Sequence, residues 1–325
     1  MGINRHKSLV WVLMTTLCGS GLASSAVARS SKVARPDPLD PLYRRIAGDL
    51  KVGKPLVITV HVALCSNRSI WCGSAKLGNG DNPRTNLYWG GAAGFTAWFR
   101  WNGRRTYKRV FRDKGDGKII VDRVVYRRRV KWISPRWKSF GAKKPFDIYV
   151  VGLAYRGRAI SKAVDALIRQ TATGVGSTLK LKGGTVLNIG GRGHLVGYAG
   201  HNYLMDVGGR WKWPKITRKQ PVGYFMLACM SAQYVAPKLT HRRTHAVLLT
   251  TVLMYPGAYT IDGLIGAMSL AQRQRQVFRR GSAYYARYSK VKAAAVRCCM
   301  FTHDGQSKFR KRYPGKGSRR RQRGH

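Results

Sequence analysis

The run Leu56-Val57-Ile58-Thr59-Val60-His61-Val62-Ala63-Leu64 is rich in β-branched residues and apolar on both alternating faces, with Thr59 and His61 as its polar members. A strand with one wet face alternates apolar and polar residues, whereas one buried on both faces reads as an almost continuous apolar run. The stretch therefore predicts a buried central strand, opening after Pro55 and ending at Cys65-Ser66-Asn67. Four more strands are expected: Asp147 to Leu153, His194 to Tyr198, Tyr224 to Ala228 and His245 to Leu253. Between them Ile160, Ala163, Val164, Leu167 and Ile168 fall on one helical face. Thr260 to Met268 reads as a second helix capped by Thr260, and Asn86 to Phe95 as a helix start after the turn chemistry of Gly78 to Pro83. Apolar strands alternating with amphipathic helices predict an α/β fold, a mostly parallel central sheet with helices on both faces. The Tyr107 to Trp137 segment alternates basic and apolar residues, as expected of a basic β-hairpin inserted over residues 100–145.

Outside this domain, expected over residues 55–305, the ends of the chain differ in character. Met1 to Ala28 has basic Arg5 and Lys7, an apolar run from Leu9 to Leu17 and a small-residue end at Ala26-Val27-Ala28, the pattern of a secretory signal peptide. The apolar run is too short and too interrupted to remain as a membrane anchor, so no integral membrane segment is expected after cleavage. Export to a bacterial periplasm or the exterior follows. Residues 29–54, with Pro36-Asp37-Pro38-Leu39-Asp40-Pro41, read as a linker. Residues 306–325 carry many Lys and Arg and no acidic side chain, the composition of a basic tail without regular structure.

Charge bounds the chemistry. Of 325 residues, 61 are Lys or Arg and 12 are acidic, all of them Asp, for a formal charge of +49. With no glutamate, metalloprotease HExxH motifs and Glu-based glycosidase pairs are excluded. A 44% apolar fraction is nevertheless enough for a packed core. So basic a chain seeks anions, among them nucleic acid, anionic lipid or an acidic envelope polymer. The basic stretch from Phe99 to Lys144 interleaves Trp101, Tyr107, Tyr126, Trp132 and Trp137 with arginines, a pattern compatible with single strands. Export disfavours nucleic acid as partner without excluding it, and a solvated hairpin is the simpler expectation.

Five cysteines follow the signal. Cys65 and Cys72 are near enough in sequence to close a short disulfide loop, adjacent Cys298 and Cys299 are poorly placed to bond each other, and Cys229 is the candidate free thiol. No Cys/His spacing suggests a metal, and Gly190-Gly191-Arg192-Gly193 precedes a strand rather than a helix, so it is no phosphate loop. No cofactor is expected.

Two expected strand ends deliver reactive side chains at the carboxyl edge of the sheet, where open α/β folds place their sites. One is Leu195-Val196-Gly197-Tyr198-Ala199-Gly200-His201-Asn202 and the other Tyr224-Phe225-Met226-Leu227-Ala228-Cys229. If the strands are neighbours, His201 and Cys229 emerge side by side, a base next to a thiol. Gly200 leaves backbone room for substrate, the amides of Cys229 and near Asn202 are oxyanion-hole candidates, and Asp206 is placed to orient the imidazole or bind a basic substrate group. His194 is expected at the opposite edge, His61 in the core, Asp262 at a helix start and Asp304 in a loop.

From Leu195 to Tyr234 this pattern resembles the caspase-like cysteine peptidases, the group of caspases, metacaspases, gingipains, separase and CHAT domains, and the order of elements from Pro55 to Gln272 follows it loosely. The resemblance implies a caspase-like fold in which His201 is the general base and Cys229 the nucleophile of peptide-bond hydrolysis. Asn202 stands where the family has Gly, and Leu227 where metacaspases carry an Asp. Leu77 to Gly80, Asn86 to Gly90 and Gly200 to Asp206 are also similar to a set of uncharacterised exported bacterial proteins, which implies no activity. The expectation is an exported cysteine endopeptidase acting on peptides or proteins; its alternative is a non-catalytic envelope protein of the same fold that binds anionic polymers through its basic surface.

Overall fold

The computed structural model describes residues 36–208, 210–296 and 301–302. The signal peptide over 1–28, the tail over 306–325, Cys298, Cys299 and Asp304 lie outside the described residues.

The central sheet is built around strand β1 (Leu56–Ala63), whose every residue is buried. Its partners are β4 (Phe146–Tyr155) on one side and β7 (Leu195–Ala199) on the other, both parallel; β8 (Val222–Leu227) and β9 (Thr244–Thr250) continue the parallel run. Antiparallel strands close both ends: β3 (Ile120–Val130) and β2 (Lys108–Asp113) beyond β4, and β10 (Phe301–Thr302) beyond β9. Among the described residues the sheet has eight strands in the order β10-β9-β8-β7-β1-β4-β3-β2. A separate antiparallel pair joins β5 (Gly176–Lys180) to β6 (Val186–Gly190), an element the alternation rule did not reveal.

Alternate residues of β1 feed two cores, as the pleat requires. Leu56, Ile58, Val60 and Val62 pack with one apolar cluster. It includes α1 (Asp40–Lys51), α2 (Phe95–Trp101), α3 (Pro135–Ser139), α7 (Ala258–Met268) and α8 (Gln274–Ser289). Val57 and Ala63 face the other cluster, covered by α4 (Ile160–Thr173) and α6 (Ser231–Leu239). Helix α4 buries Ala163, Val164, Leu167 and Ile168 and stops at Gly174, whose φ of +83° is a left-handed cap that favours glycine. In β7, a Cβ at Gly197 would stand 2.0 Å from the Phe225 ring, so β7 and β8 pack only with glycine there.

Several expectations change. The linker over 29–54 contains helix α1, because Leu42, Tyr43, Ile46 and Ala47 form an apolar stripe behind the Pro/Asp-rich start, and all four are buried. The Tyr43 hydroxyl donates to the Gln272 carbonyl at 2.7 Å, tying the helix to the body. The helix expected from Asn86 begins at Phe95, since the Asn86 side chain is spent on loop backbone: it accepts from Cys65 N at 3.0 Å and donates to Cys65 O at 2.8 Å. Thr260 is not a cap; it lies buried in the first turns of α7, which starts at Ala258. Asp262 is no helix-start charge but accepts from Tyr107 OH at 2.7 Å and Trp98 Nε1 at 3.1 Å.

The basic hairpin is the antiparallel end of the central sheet. Its arginines are largely paired: Arg112 with Asp122, Arg123 with Asp113, and Arg127 and Arg129 with Asp147. Tyr107, Tyr126 and Trp137 are core residues and Trp101 and Trp132 are exposed, so the five aromatics form no common stacking platform. Among the described residues no helix is long and apolar enough to cross a membrane.

Candidate active site

Counted by chain order among the parallel strands alone, β1, β4, β7, β8 and β9 are arranged 2-1-3-4-5. Connections leave β1 and β7 in opposite directions, opening a crevice beyond their carboxyl ends, the place where such sheets bind ligands. Around this crevice lie the Cys65–Cys72 loop after β1, Gly200-His201-Asn202 after β7 and Ala228-Cys229-Met230 after β8.

Register brings the candidate base and nucleophile to one level. Ala199 of β7 pairs with Leu227 of β8, and His201 and Cys229 each follow two residues later. The two segments are clipped together by Asn202, whose Nδ2 donates to the Cys229 carbonyl at 2.6 Å while its Oδ1 accepts from Leu204 N at 3.2 Å. Asn202 is fully buried, so its side chain serves this clip and does not face an oxyanion. The backbone N–H of Cys229 donates to no group among the described residues, which leaves it available as an oxyanion donor, whereas the Asn202 N–H is buried with its residue. Gly200 is buried, and a Cβ there would meet the Tyr198 hydroxyl at 2.8 Å. That hydroxyl donates to the His201 carbonyl at 2.7 Å and holds the loop against the strand.

His201 is positioned by Asp206, on the short helix α5 (Tyr203–Asp206). Its Nε2 lies 2.9 Å and 3.0 Å from the two carboxylate oxygens. A carboxylate only accepts, so Nε2 carries the proton and Nδ1 holds the free lone pair of the neutral ring. Nδ1 makes no hydrogen bond among the described residues. Asp206 thus holds the imidazole Nε2 with both carboxylate oxygens.

Among the described cysteines Cys229 is a free thiol, and it is half-buried. Its Sγ accepts from Met254 N at 3.4 Å and donates to Met254 O at 3.6 Å. No hydrogen bond joins it to His201. The chain then turns sharply into α6 through Met230, a non-glycine residue in the left-handed region at φ +52° and ψ +29°. Such a conformation persists only where its surroundings impose it. Here Met230 N donates to Val252 O at 3.0 Å, Ser231 N donates to Thr250 Oγ1 at 3.1 Å, and Thr250 Oγ1 donates to Ala228 O.

Aromatic residues that sequence reasoning missed flank the thiol. Tyr88 and Tyr285 lie near Cys229, and burial raises their phenol pKa values. Tyr255 donates to Leu87 O at 3.0 Å and its ring centroid lies 6.0 Å from that of Tyr88. The signal was the Asn86-Leu87-Tyr88-Trp89 segment, but its long-range partner Met254-Tyr255 had no local marker.

The remaining candidates are placed apart. Cys65 and Cys72 form a disulfide with Cα atoms 6.1 Å apart. His61 is fully buried within β1, its Nε2 donating to Gln170 Oε1 at 2.8 Å and its Nδ1 accepting from Tyr155 OH at 3.0 Å. His194 sits at the opposite edge, where Nδ1 accepts from Val57 N at 3.1 Å and Nε2 donates to Asp49 at 3.0 Å. Among the described residues no three His, Cys or Asp side chains gather to hold a metal ion. No family model, curated protein or solved structure matches the chain.

Proposed function

We propose that the chain is an exported cysteine peptidase of caspase-like arrangement, with Cys229 as nucleophile, His201 as base and Asp206 as the residue that positions it. The observation that carries this reading is the Asp206–His201 pair, which fixes the tautomer with an open Nδ1 at the sheet level of a half-buried thiol. The left-handed turn at Met230 and the free amide of Cys229 support it, as nucleophile turn and oxyanion donor. The Cys65–Cys72 disulfide fits an oxidising compartment.

Catalysis begins with rotation of the Cys229 side chain from Met254 toward His201, a tightening expected of resting sites when substrate enters. The thiol proton passes to Nδ1 as Sγ bonds the scissile carbonyl carbon, whose oxygen becomes an oxyanion at the Cys229 amide. The C–N bond breaks and the amine leaves with the proton from Nδ1, giving a thioester. Water, deprotonated by His201, then releases the acid and restores the thiol.

The test is a mixed peptide library incubated with the mature protein at neutral pH, with cleavage read by mass spectrometry. Cleavage by the wild type that disappears in Cys229→Ala is expected. Products that persist in the variant, or none with either protein, would refute the assignment.

A further inference from the structure

A second site lies at the amino edge of the sheet, away from Cys229. An open cleft of about 540 Å³ is bounded by Arg45 of α1, Lys54, the Gly191-Arg192 turn and the Thr217–Gln220 segment. Its lining carries five cations, Arg45, Lys54, Arg192, Arg218 and Lys219, against a single carboxylate, Asp49. Asp49 is already engaged: His194 Nε2 is 3.0 Å away and Lys54 Nζ 3.6 Å.

Among the described residues the Arg45 and Arg218 guanidiniums make no ion pair with a carboxylate. Arg218 is 6% exposed and spends its donors on the carbonyls of Gln220, Gln170, Thr171 and Gly191. Arg45 donates to the carbonyls of Pro221 at 2.6 Å and Arg192 at 3.1 Å, and its buried Nε has no partner. Carbonyls satisfy N–H groups but do not neutralise charge, and a buried cation without a countercharge, as at Arg218, is costly. Burial lowers both arginine pKa values, Arg218 to about 10 with repulsion from Arg45 as its second cause, while the Asp49 charge partly offsets the burial of Arg45. The exposed Lys54, Arg192 and Lys219 add to the same field.

We propose that this cleft binds the phosphate group of a small phosphorylated molecule. Several cations against one engaged carboxylate exceed what a monocarboxylate would neutralise and suit a dianion, whose oxygens match guanidinium forks. The cleft's size is that of a small-molecule site, whereas a polymer would need an extended track. This site is independent of the peptidase reading and shares no residue with it.

The experiment is calorimetric titration of inorganic phosphate into the full chain at low salt, repeated with Arg192→Ala/Lys219→Ala. Neither side chain makes a hydrogen bond among the described residues, so the double variant keeps the fold, which its unfolding temperature checks. Saturable one-site binding is expected, weakened at least about tenfold in the double variant and unchanged in Arg275→Ala, which does not line the cleft. Absence of saturable binding, or equal affinity in all three proteins, would overturn the proposal. Phosphatidylglycerol vesicles are titrated in parallel: capture by vesicles without phosphate binding would identify a membrane-surface patch and overturn it too.

Discussion

Replacing His201 by Ala is expected to slow acylation of Cys229 by about 100-fold or more, the contribution of a positioned general base. The reagent is an activated ester such as p-nitrophenyl acetate, which acylates a competent thiol whatever the natural substrate, releasing one equivalent of nitrophenolate in a burst. Asp206→Asn is expected to impair the burst through the tautomer. The side-chain amide that replaces the carboxylate can donate to Nε2, which moves the imidazole proton to Nδ1, the atom that must accept from the thiol. The Asp206 side chain is 43% exposed, so that substitution leaves the fold intact. Since the pair is surface-accessible, its electrostatic worth to folding is small and the loss reads on chemistry rather than stability. A burst of unchanged rate in both variants would mean that the Asp206–His201 pair serves only the loop.

Acidification is expected to unfold the protein through its buried imidazoles. Burial lowers the pKa of His61 and of His245 from 6.5 to about 4. The same cause lowers His194, whose Nδ1 faces the Val57 N–H and has no room for a proton. In the unfolded chain these rings protonate near pH 6.5, so between that value and about 4 the unfolded state binds more protons and stability falls as pH drops. His61 and His245 alone each account for about 3 kcal/mol across this window, together about 6 kcal/mol, against a typical domain stability of about 5 to 15 kcal/mol. The urea midpoint measured from pH 7.5 to 4.5 should therefore decline steeply from about pH 6.5, well above the range where aspartates titrate. A midpoint flat to pH 4.5 would contradict the burial of these rings.

The parallel sheet was legible because β1, β4, β7, β8 and β9 are apolar on both faces, a pattern that few other environments accommodate. Their ends were legible only within one to three residues: β9 stops at Thr250 rather than Leu253, because Thr250 to Met254 turns inward to hold Met230 and Cys229. Helix α1 was hidden by a start rich in Pro and Asp, though Pro41 in its first turn and Asp40 beside it are favourable helix openings. Within the site, His201 and Cys229 were visible because each ends an apolar run. The clip made by Asn202, the Met254 contact of the thiol and the wall of Tyr88, Tyr255 and Tyr285 were not. They join segments far apart in the chain, and such contacts leave no local periodicity. The cleft of Arg45, Arg192 and Arg218 was hidden in the same way: among 61 basic residues no single arginine stands out until the fold gathers them.

In the proposed mechanism His201 activates Cys229. The most direct test of that activation is the second-order rate of iodoacetamide alkylation at Cys229 in the folded protein at pH 7, read by peptide mass spectrometry for the wild type and His201→Ala. The dyad predicts alkylation of the wild type at least about tenfold faster than the variant, because only the wild type has an imidazole to draw off the thiol proton. Equal rates in the two proteins would contradict it, leaving Cys229 as a thiol held by the Met254 backbone.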